Sequence, residues 1–237
     1  MLSIIIPVYN ESQGILKLLE HLCAAAAQLQ AIEIIVVDGG SLDHTKNLVI
    51  NSQDSLPATV RFFTSKKGRA AQMHYGAQQA IGEVLYFLHA DSFPPTSFDK
   101  HIEKAIAAGH RAGCFKMRFD SRHWWLRFIA WFTKFNVYSC RGGDQSLYIS
   151  KDLYHQLGGY HTELSLFEDY EFIKTLYEKH SFHVIQKTLV SSARRYHDIG
   201  IFRLQWFYLR LYIMRFKGRS ISDIYTYYQR WCEHHND

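Results

Sequence analysis

The sequence predicts an α/β fold: a mostly parallel, Rossmann-like sheet flanked by helices, with a helical extension at the C-terminal end. Three observations predict it. Four apolar runs rich in β-branched and aromatic residues occur within the first 90 positions, around Leu2–Val8, Ile32–Val37, Val60–Thr64 and Leu85–Leu88. They are nearly continuous rather than alternating, as strands buried on both faces are. Stretches with helical spacing of apolar residues lie between them, and strand–helix alternation of this kind implies a parallel sheet with right-handed crossovers.

The first strand, Leu2-Ser3-Ile4-Ile5-Ile6, is expected to end at Pro7, because proline cannot donate to a central ladder. Tyr9, Asn10 and Glu11 fall just past its end, and Ser12 is a candidate cap for a helix carrying Ile15, Leu18, Leu19 and Leu22. The second strand ends on Asp38-Gly39-Gly40-Ser41. Asp38 can accept a hydrogen bond from a base or ribose, and the glycines let backbone approach a ligand. A turn with Ser41 as a helix cap uses the same residues, and the two readings stand about equal.

After the third strand comes Ser65-Lys66-Lys67-Gly68-Arg69 and a helix over 70–80, with Arg69, Gln72, Met73, Gly76 and Ala80 on one face. Cations and amides at a helix N-terminus can cradle a diphosphate; Lys66 and Lys67 also suit a solvated basic turn, and Arg69 is the one retained. The fourth strand stops on His89-Ala90-Asp91-Ser92, ahead of Pro94-Pro95. Ligands of open α/β sheets collect at the carboxyl ends of strands, which makes Asp91 the best candidate metal ligand of the chain. The plainer alternative is a cap on the turn before Pro94. No Gly-x-Gly-x-x-Gly follows the first strand and no P-loop is present, so phosphates must be held by metal and cations.

From Phe98 a helix carries Ile102, Ala105 and Ile106 until Gly109 and Gly113 break it, and Ala112–Phe119 is a further strand candidate at which the strand–helix rhythm ends. The helix from Trp124 to Phe135 is apolar almost all round, with Arg122, Arg127 and Lys134 on it. Such a helix is packed or interfacial, and core packing or dimerisation ranks above membrane contact. Gly142 and Gly143 before Asp144 and Gln145 suit a loop against a ligand, or a tight turn. A short strand over Ser146–Ile149 and a helix ending at Gly158-Gly159 follow.

Glu168, Asp169 and Glu171 open the next helix. The helix dipole alone favours acids there, but the apolar residues before Glu168 suggest enclosure, where a carboxylate can take a proton from a hydroxyl. Asp169 or Glu168 is the candidate base. His183-Val184-Ile185 is a last short strand, and beyond it His197 is a second candidate metal ligand, although a lone histidine is more often structural. Positions 201–231 are aromatic and basic, fitting one or two helices that cover the sheet or rest on an anionic bilayer.

With 237 residues, 47% hydrophobic, the chain can bury one sizeable core, and one domain is expected. A net charge of +5 favours phosphorylated or membrane-surface partners mildly and does not argue for nucleic acid. Cys23, Cys114, Cys140 and Cys232 form no CxxC pair, which fits a reducing cytoplasm better than a zinc site or disulfide framework. The N-terminal run stops at Pro7, too short for a signal peptide, and Arg203, Arg210 and Arg215 interrupt the longest aromatic stretch, so no membrane span is expected.

Taken together, Ile4-Ile5-Ile6-Pro7-Val8-Tyr9-Asn10-Glu11, Val36-Val37-Asp38-Gly39-Gly40-Ser41, Gly68-Arg69, His89-Ala90-Asp91, Gly158-Gly159-Tyr160 and Glu168-Asp169 resemble, in order and over about 200 residues, the family 2 glycosyltransferases of GT-A fold. Gly68–Met73, Leu88–Asp91, Gly143–Gln145 and Ser192–Arg195 look most like a small bacterial subgroup associated with radical-SAM and selenodomain proteins. The resemblance implies one domain over 1–200, with a nucleotide-binding half (1–95) and an acceptor and base half (96–200), and 201–237 as an extension packed on it. It implies inverting, metal-dependent transfer of one sugar from a nucleotide-diphosphate sugar, a UDP-sugar foremost, to an acceptor hydroxyl. Pro7, Tyr9, Glu11, Asp38 and Gly39 would hold the nucleoside, with Arg69 and Ala90 beside the nucleotide. Asp91, with His197 as a second candidate, would bind Mg²⁺ or Mn²⁺; Gly143, Asp144 and Gln145 would meet the acceptor; Asp169, beside Glu168, matches the base. The family's Asp-x-Asp has His89 in place of its first acid, so only Asp91 carries over. The processive members' Gln-x-x-Arg-Trp motif is missing, which favours single-sugar transfer. Apart from the resemblance, the cysteines favour a cytoplasmic protein, and the aromatic, basic helices leave peripheral contact at the inner face of the membrane and a homodimer as options. The rival readings are a nucleotidyltransferase releasing pyrophosphate and a non-catalytic nucleotide-sugar-binding or membrane-scaffold protein.

Overall fold

In the computed structural model, which describes residues 1–141, 145–162, 166–179 and 182–233, the N-terminal half alternates strand and helix. β1 (Leu2–Val8), α1 (Ile15–Ala25), β2 (Ile32–Asp38), α2 (Thr45–Ser52), β3 (Thr59–Thr64), α3 (Arg69–Gln79) and β4 (Val84–Phe87) follow one another. β3, β2, β1 and β4 lie side by side, all parallel. After β5 (Ser92–Phe93) and α4 (Phe98–Ala107), the sheet is completed by β6 (Ala112–Phe119), β7 (Leu147–Ser150) and β8 (Phe182–Ser191). β7 joins antiparallel to β4 and to β6, β8 lies parallel to β6, and β5 closes the far edge antiparallel to β8. The remaining helices are α5 (Trp124–Trp131), α6 (Lys151–Gln156), α7 (Glu168–Lys179), α8 (Arg194–Ile199), α9 (Ile201–Phe216) and α10 (Ile221–Glu233).

The continuous apolar runs are explained by cores on both faces of the sheet. Ile4, Ile6, Ile34, Val36 and Tyr86 pack on one side with α1, α4, α9 and α10, while Ile5, Ile35, Val37, Leu85 and Phe87 pack on the other with α3, α6 and α7. α3 lies so close to β1 that a Cβ on Gly76 would sit 2.5 Å from Ile5 Cγ2.

Four expectations need correction. β1 does not stop at Pro7, which pairs in register with Val37. Ile5 offers its carbonyl to Leu88 N on the β4 side, and Val8 offers its own to Gly39 N on the β2 side. By alternation Pro7 faces β4, whose pairing with β1 ends at Ile5, so its missing N–H costs no ladder bond. Ser12 does not cap α1; its amide donates to Asp43 Oδ2 at 3.0 Å and the helix starts three residues later without a side-chain cap. A missing cap costs about 0.5–2 kcal/mol. Burial of any one of Ile15, Leu18, Leu19 or Leu22 contributes about 1.5–3 kcal/mol, so the amphipathic face decides the helix. Gly113 is not a breaker but a strand residue, where a Cβ would meet His183 O at 2.1 Å. Finally, the strand after α7 is ten residues long rather than three, because β6 and then β5 extend its ladder.

Candidate active site

Because β1, β2 and β4 are parallel, the loops after them share one rim of the sheet. The first two are laced together: Asn10 N donates to Ser41 Oγ (2.9 Å), Leu42 N to Asn10 Oδ1 (2.9 Å), and Glu11 N to Thr45 Oγ1 (2.8 Å). Asn10 adopts the left-handed conformation this requires, with φ of 55°. Asp38 is buried and its carboxylate turns back on its own loop, accepting from Gly40 N (3.1 Å), Ser41 N (3.0 Å) and the Ser41 hydroxyl. The turn is therefore built by Asp38 itself. A Cβ on Gly39 would lie 3.0 Å from Gln72 Oε1, and the Gln72 amide ties α3 to both strand ends by donating to Val8 O and Val37 O, each at 2.8 Å. Gln72 shares its helix face with Arg69, but nothing in the sequence shows that its amide bridges two strands.

Tyr9 stands exposed at the rim with the Lys67 ammonium 3.8 Å from its ring centroid, and Pro7 and Ala90 are buried beneath the rim. Asp91 lies four residues past β4, partly buried; its backbone carbonyl accepts from Ser192 N (3.0 Å) and Ser92 Oγ is 3.4 Å from its Oδ1. Glu11 pairs with Arg194 at 3.4 Å. Burial pushes the Glu11 carboxyl above the usual range; Arg194 opposes this, and the nearby negative charge of Asp91 adds to it. His197 is exposed on the last turn of α8. Among the described residues, no three His, Cys, Asp or Glu side chains converge to hold an ion. One carboxylate still fits a divalent ion riding on a diphosphate, since such ions take one or two protein oxygens and fill the rest with phosphate and water. Asp91 makes no ion pair among the described residues, which leaves its carboxylate for that purpose.

Arg69, opening α3, is the joint between this rim and the acids of α7. Its Nε lies 3.0 Å from Glu168 Oε1 and its Nη2 donates to Asp169 Oδ2. Both acids are buried, whereas the arginine is 40% exposed. Burial pushes Glu168 above the usual carboxylate range, with Arg69 working against the shift and the charge of Asp169 adding to it.

These three residues face a cavity of about 810 Å³, whose walls come from β6, α5, α7, α9 and the segment before β7. Asp38 and Asp91 do not line it. Gly143 and Asp144 lie outside the described residues. Gln145 lines the cavity and is locked by donating to Cys140 O (2.8 Å) and accepting from Arg141 Nη1 (2.8 Å). Arg141 and Arg195, to which the sequence assigned no role, also line it. Arg141 is buried, donating to the Thr133 and Phe135 carbonyls and to Cys114 Sγ, whose thiol burial pushes up to about 11 against the arginine's pull. Arg195 lies against the rings of Tyr208 and Tyr228. Nothing in the sequence around either arginine signals such placement.

The parallel strands with loops gathered at one rim, extended by an antiparallel half that brings in an acid pair, define a GT-A fold. S. aureus TarS 1–349 superposes with a TM-score of 0.65 at 20% identity, over 81% of this chain and 60% of that one. The mannosyltransferase PcManGT from Pyrobaculum calidifontis, solved with GDP-Man and Mn²⁺, gives 0.64 at 17%, over 89% and 60%. The chain belongs to glycosyl transferase family 2, whose family model matches residues 3–164. It is 34% identical over 107 residues to an undecaprenyl-phosphate 4-deoxy-4-formamido-L-arabinose transferase of Pseudomonas fluorescens, covering 44% of this chain and 32% of that protein. It is 36% identical over 98 residues to an uncharacterized glycosyltransferase of Haemophilus influenzae, covering 39% and 37%. The matches thus span about a third of the length of these relatives.

Proposed function

We propose that the chain transfers one sugar, with inversion, from a nucleotide-diphosphate sugar to a hydroxyl of an acceptor held in the 810 Å³ cavity. The observation that carries this reading is Asp169: a carboxylate at the cavity wall, held by the arginine that opens α3 next to the nucleotide rim. In this reading the acceptor oxygen attacks the anomeric carbon, its proton passes to Asp169, and the bond to the diphosphate oxygen breaks. Tyr9, Pro7, Gly39 and Ala90 form the nucleoside's bed, with Glu11 and Asp38 offering oxygens to ribose or base. A base reaching Asp38 shares a carboxylate already engaged by its own turn. Arg69 sits where a diphosphate and the acid pair meet, and Gln145, with Gly143 and Asp144, orients the acceptor. Asp91 would hold Mg²⁺ or Mn²⁺, with His197 as a weaker candidate; when bound, the ion supplies positive charge to the departing diphosphate.

The neighbours solved with UDP, UDP-GlcNAc and GDP-Man support a nucleotide-sugar donor, with UDP-sugars first. The Gly68–Met73 and Gly143–Gln145 motifs support placement in the radical-SAM-associated subgroup, and the motif boundaries support halves at 1–95 and 96–200 with an extension at 201–237.

The test is to incubate the protein with UDP-glucose, UDP-GlcNAc or GDP-mannose and Mn²⁺ and assay the released product. Free nucleoside diphosphate is expected, and Asp169→Asn should cut turnover by about 10²–10⁴ while donor binding persists. Release of pyrophosphate points instead to a nucleotidyltransferase, and unaltered turnover in Asp169→Asn removes the base.

A further inference from the structure

The aromatic helix α5 leaves three of its four rings exposed. Only Leu126 and Ala130 are buried in it, while Trp124 is 64% exposed and Phe128 and Trp131 about half exposed. α9 repeats the pattern: Leu204, Phe207 and Leu211 pack on the core, whereas Trp206 is 62% and Phe216 94% exposed. The two helices adjoin, since the Phe202 ring lies 6.0 Å from that of Trp125 and 5.9 Å from that of His123. Their exposed rings therefore form one continuous face. Its charge is one-sided. Between Asp120 and Asp144 there are four cations and no acid, and between Asp198 and Asp223 five cations and no acid. Arg141 of the first group is buried, and Arg215 of the second pairs with Glu171; Arg122, Arg127, Arg203, Arg210, Lys217 and Arg219 are exposed.

We infer that this α5–α9 face docks on an anionic bilayer surface. Trp and Phe rings seat at the headgroup boundary, and arginines and lysines beside them meet anionic headgroups. Charge complementarity decides between bilayer and a second copy of the chain, because two such faces brought together would oppose cation to cation. No helix among the described residues is long and apolar enough to cross a membrane, so the contact is one of surface, not of span. The face is continuous with the catalytic cavity: Phe132, Leu209 and Tyr212 are exposed on it and line the cavity at the same time. A docked molecule thus presents that mouth to the bilayer, and the acceptor hydroxyl belongs to a membrane-borne amphiphile. This last consequence rests on the transferase reading, whereas the docking does not.

The test is co-sedimentation of the full chain with vesicles of phosphatidylcholine, alone or with phosphatidylglycerol, at low and physiological salt. Binding to the phosphatidylglycerol vesicles is expected, weakened roughly 5-fold by each of Arg203→Gln and Lys217→Gln and more strongly by Trp124→Ser with Trp206→Ser. All four positions are exposed and outside the cavity, so thermal midpoints and UDP-sugar binding should match the wild type. Absence of vesicle binding by a protein that still binds donor overturns the docking and leaves the transferase reading standing. Equal binding to neutral vesicles overturns the role of charge, and a concentration-dependent dimer abolished by the tryptophan changes assigns the face to a second copy.

Discussion

Replacing Arg69 by Gln tests how the two acids of α7 are held. In the folded chain Glu168 and Asp169 are both buried, adjacent in sequence, and share this one guanidinium. Breaking a buried ion pair from one side costs about 3–5 kcal/mol. Arg69 is 40% exposed, so solvent already screens part of the interaction, and about 1–3 kcal/mol is the better expectation at neutral pH. For a chain of this size that lowers the thermal midpoint by roughly 2–12 °C. The pH dependence carries the diagnosis. Burial, with Asp169's charge, raises Glu168 in the folded state while Arg69 restrains the rise, so removing Arg69 raises it further. A carboxyl with a raised folded-state value binds its proton more tightly folded than unfolded, so its contribution to stability falls as pH rises through that value. The deficit of Arg69→Gln relative to wild type should therefore shrink as pH is lowered from about 8 toward about 5, near the unfolded value of Glu. Urea titrations at both ends of that window measure it. A deficit that is constant with pH, or grows toward acid, would show that Arg69 matters through packing and not through its charge.

Two further perturbations separate the rim from the sheet. Asp91→Asn should abolish stimulation by Mn²⁺ of nucleoside diphosphate release, with little change in thermal midpoint, because the carboxylate makes no ion pair among the described residues; equal stimulation in the variant would move the ion elsewhere. Gly113→Ala should cost about 1–3 kcal/mol, read as a lower urea midpoint at unchanged m-value, since the new Cβ meets the His183 carbonyl at 2.1 Å and the Tyr148 hydroxyl at 2.6 Å; an unshifted midpoint would mean that β6 and β8 can part at little cost.

The parallel half of the fold was legible because its physics is local. Burial on both faces writes continuous apolar runs such as Ile32–Val37, and the helices between them write their own spacing. β8 was not legible beyond Ile185, where the polar Gln186, Lys187 and Thr188 interrupt the apolar run. They continue as strand because β6 offers a partner through a register shift after Phe115, with Lys116 opposite Thr188. Ladder hydrogen bonds supplied by a distant strand overrode the local pattern. α5 differs in the opposite direction: its apolar residues point to core packing or dimerisation, and within this chain only two of them are buried.

The candidate site divides along the same line. Asp38, Asp91 and Tyr9 could be picked out because strand ends are visible in sequence, and what ends a strand faces the rim. The union of Arg69 with Glu168 and Asp169 could not, because it joins positions a hundred residues apart, and each alone has an ordinary explanation at a helix N-terminus. Two acids at the start of α7 need no partner while they are solvated. Buried as they are in the folded chain, they require a counter-charge, and Arg69 at the start of α3 supplies it. Burial of the acid pair and its tie to α3 thus go together, through one guanidinium that neither helix start announces in its own sequence.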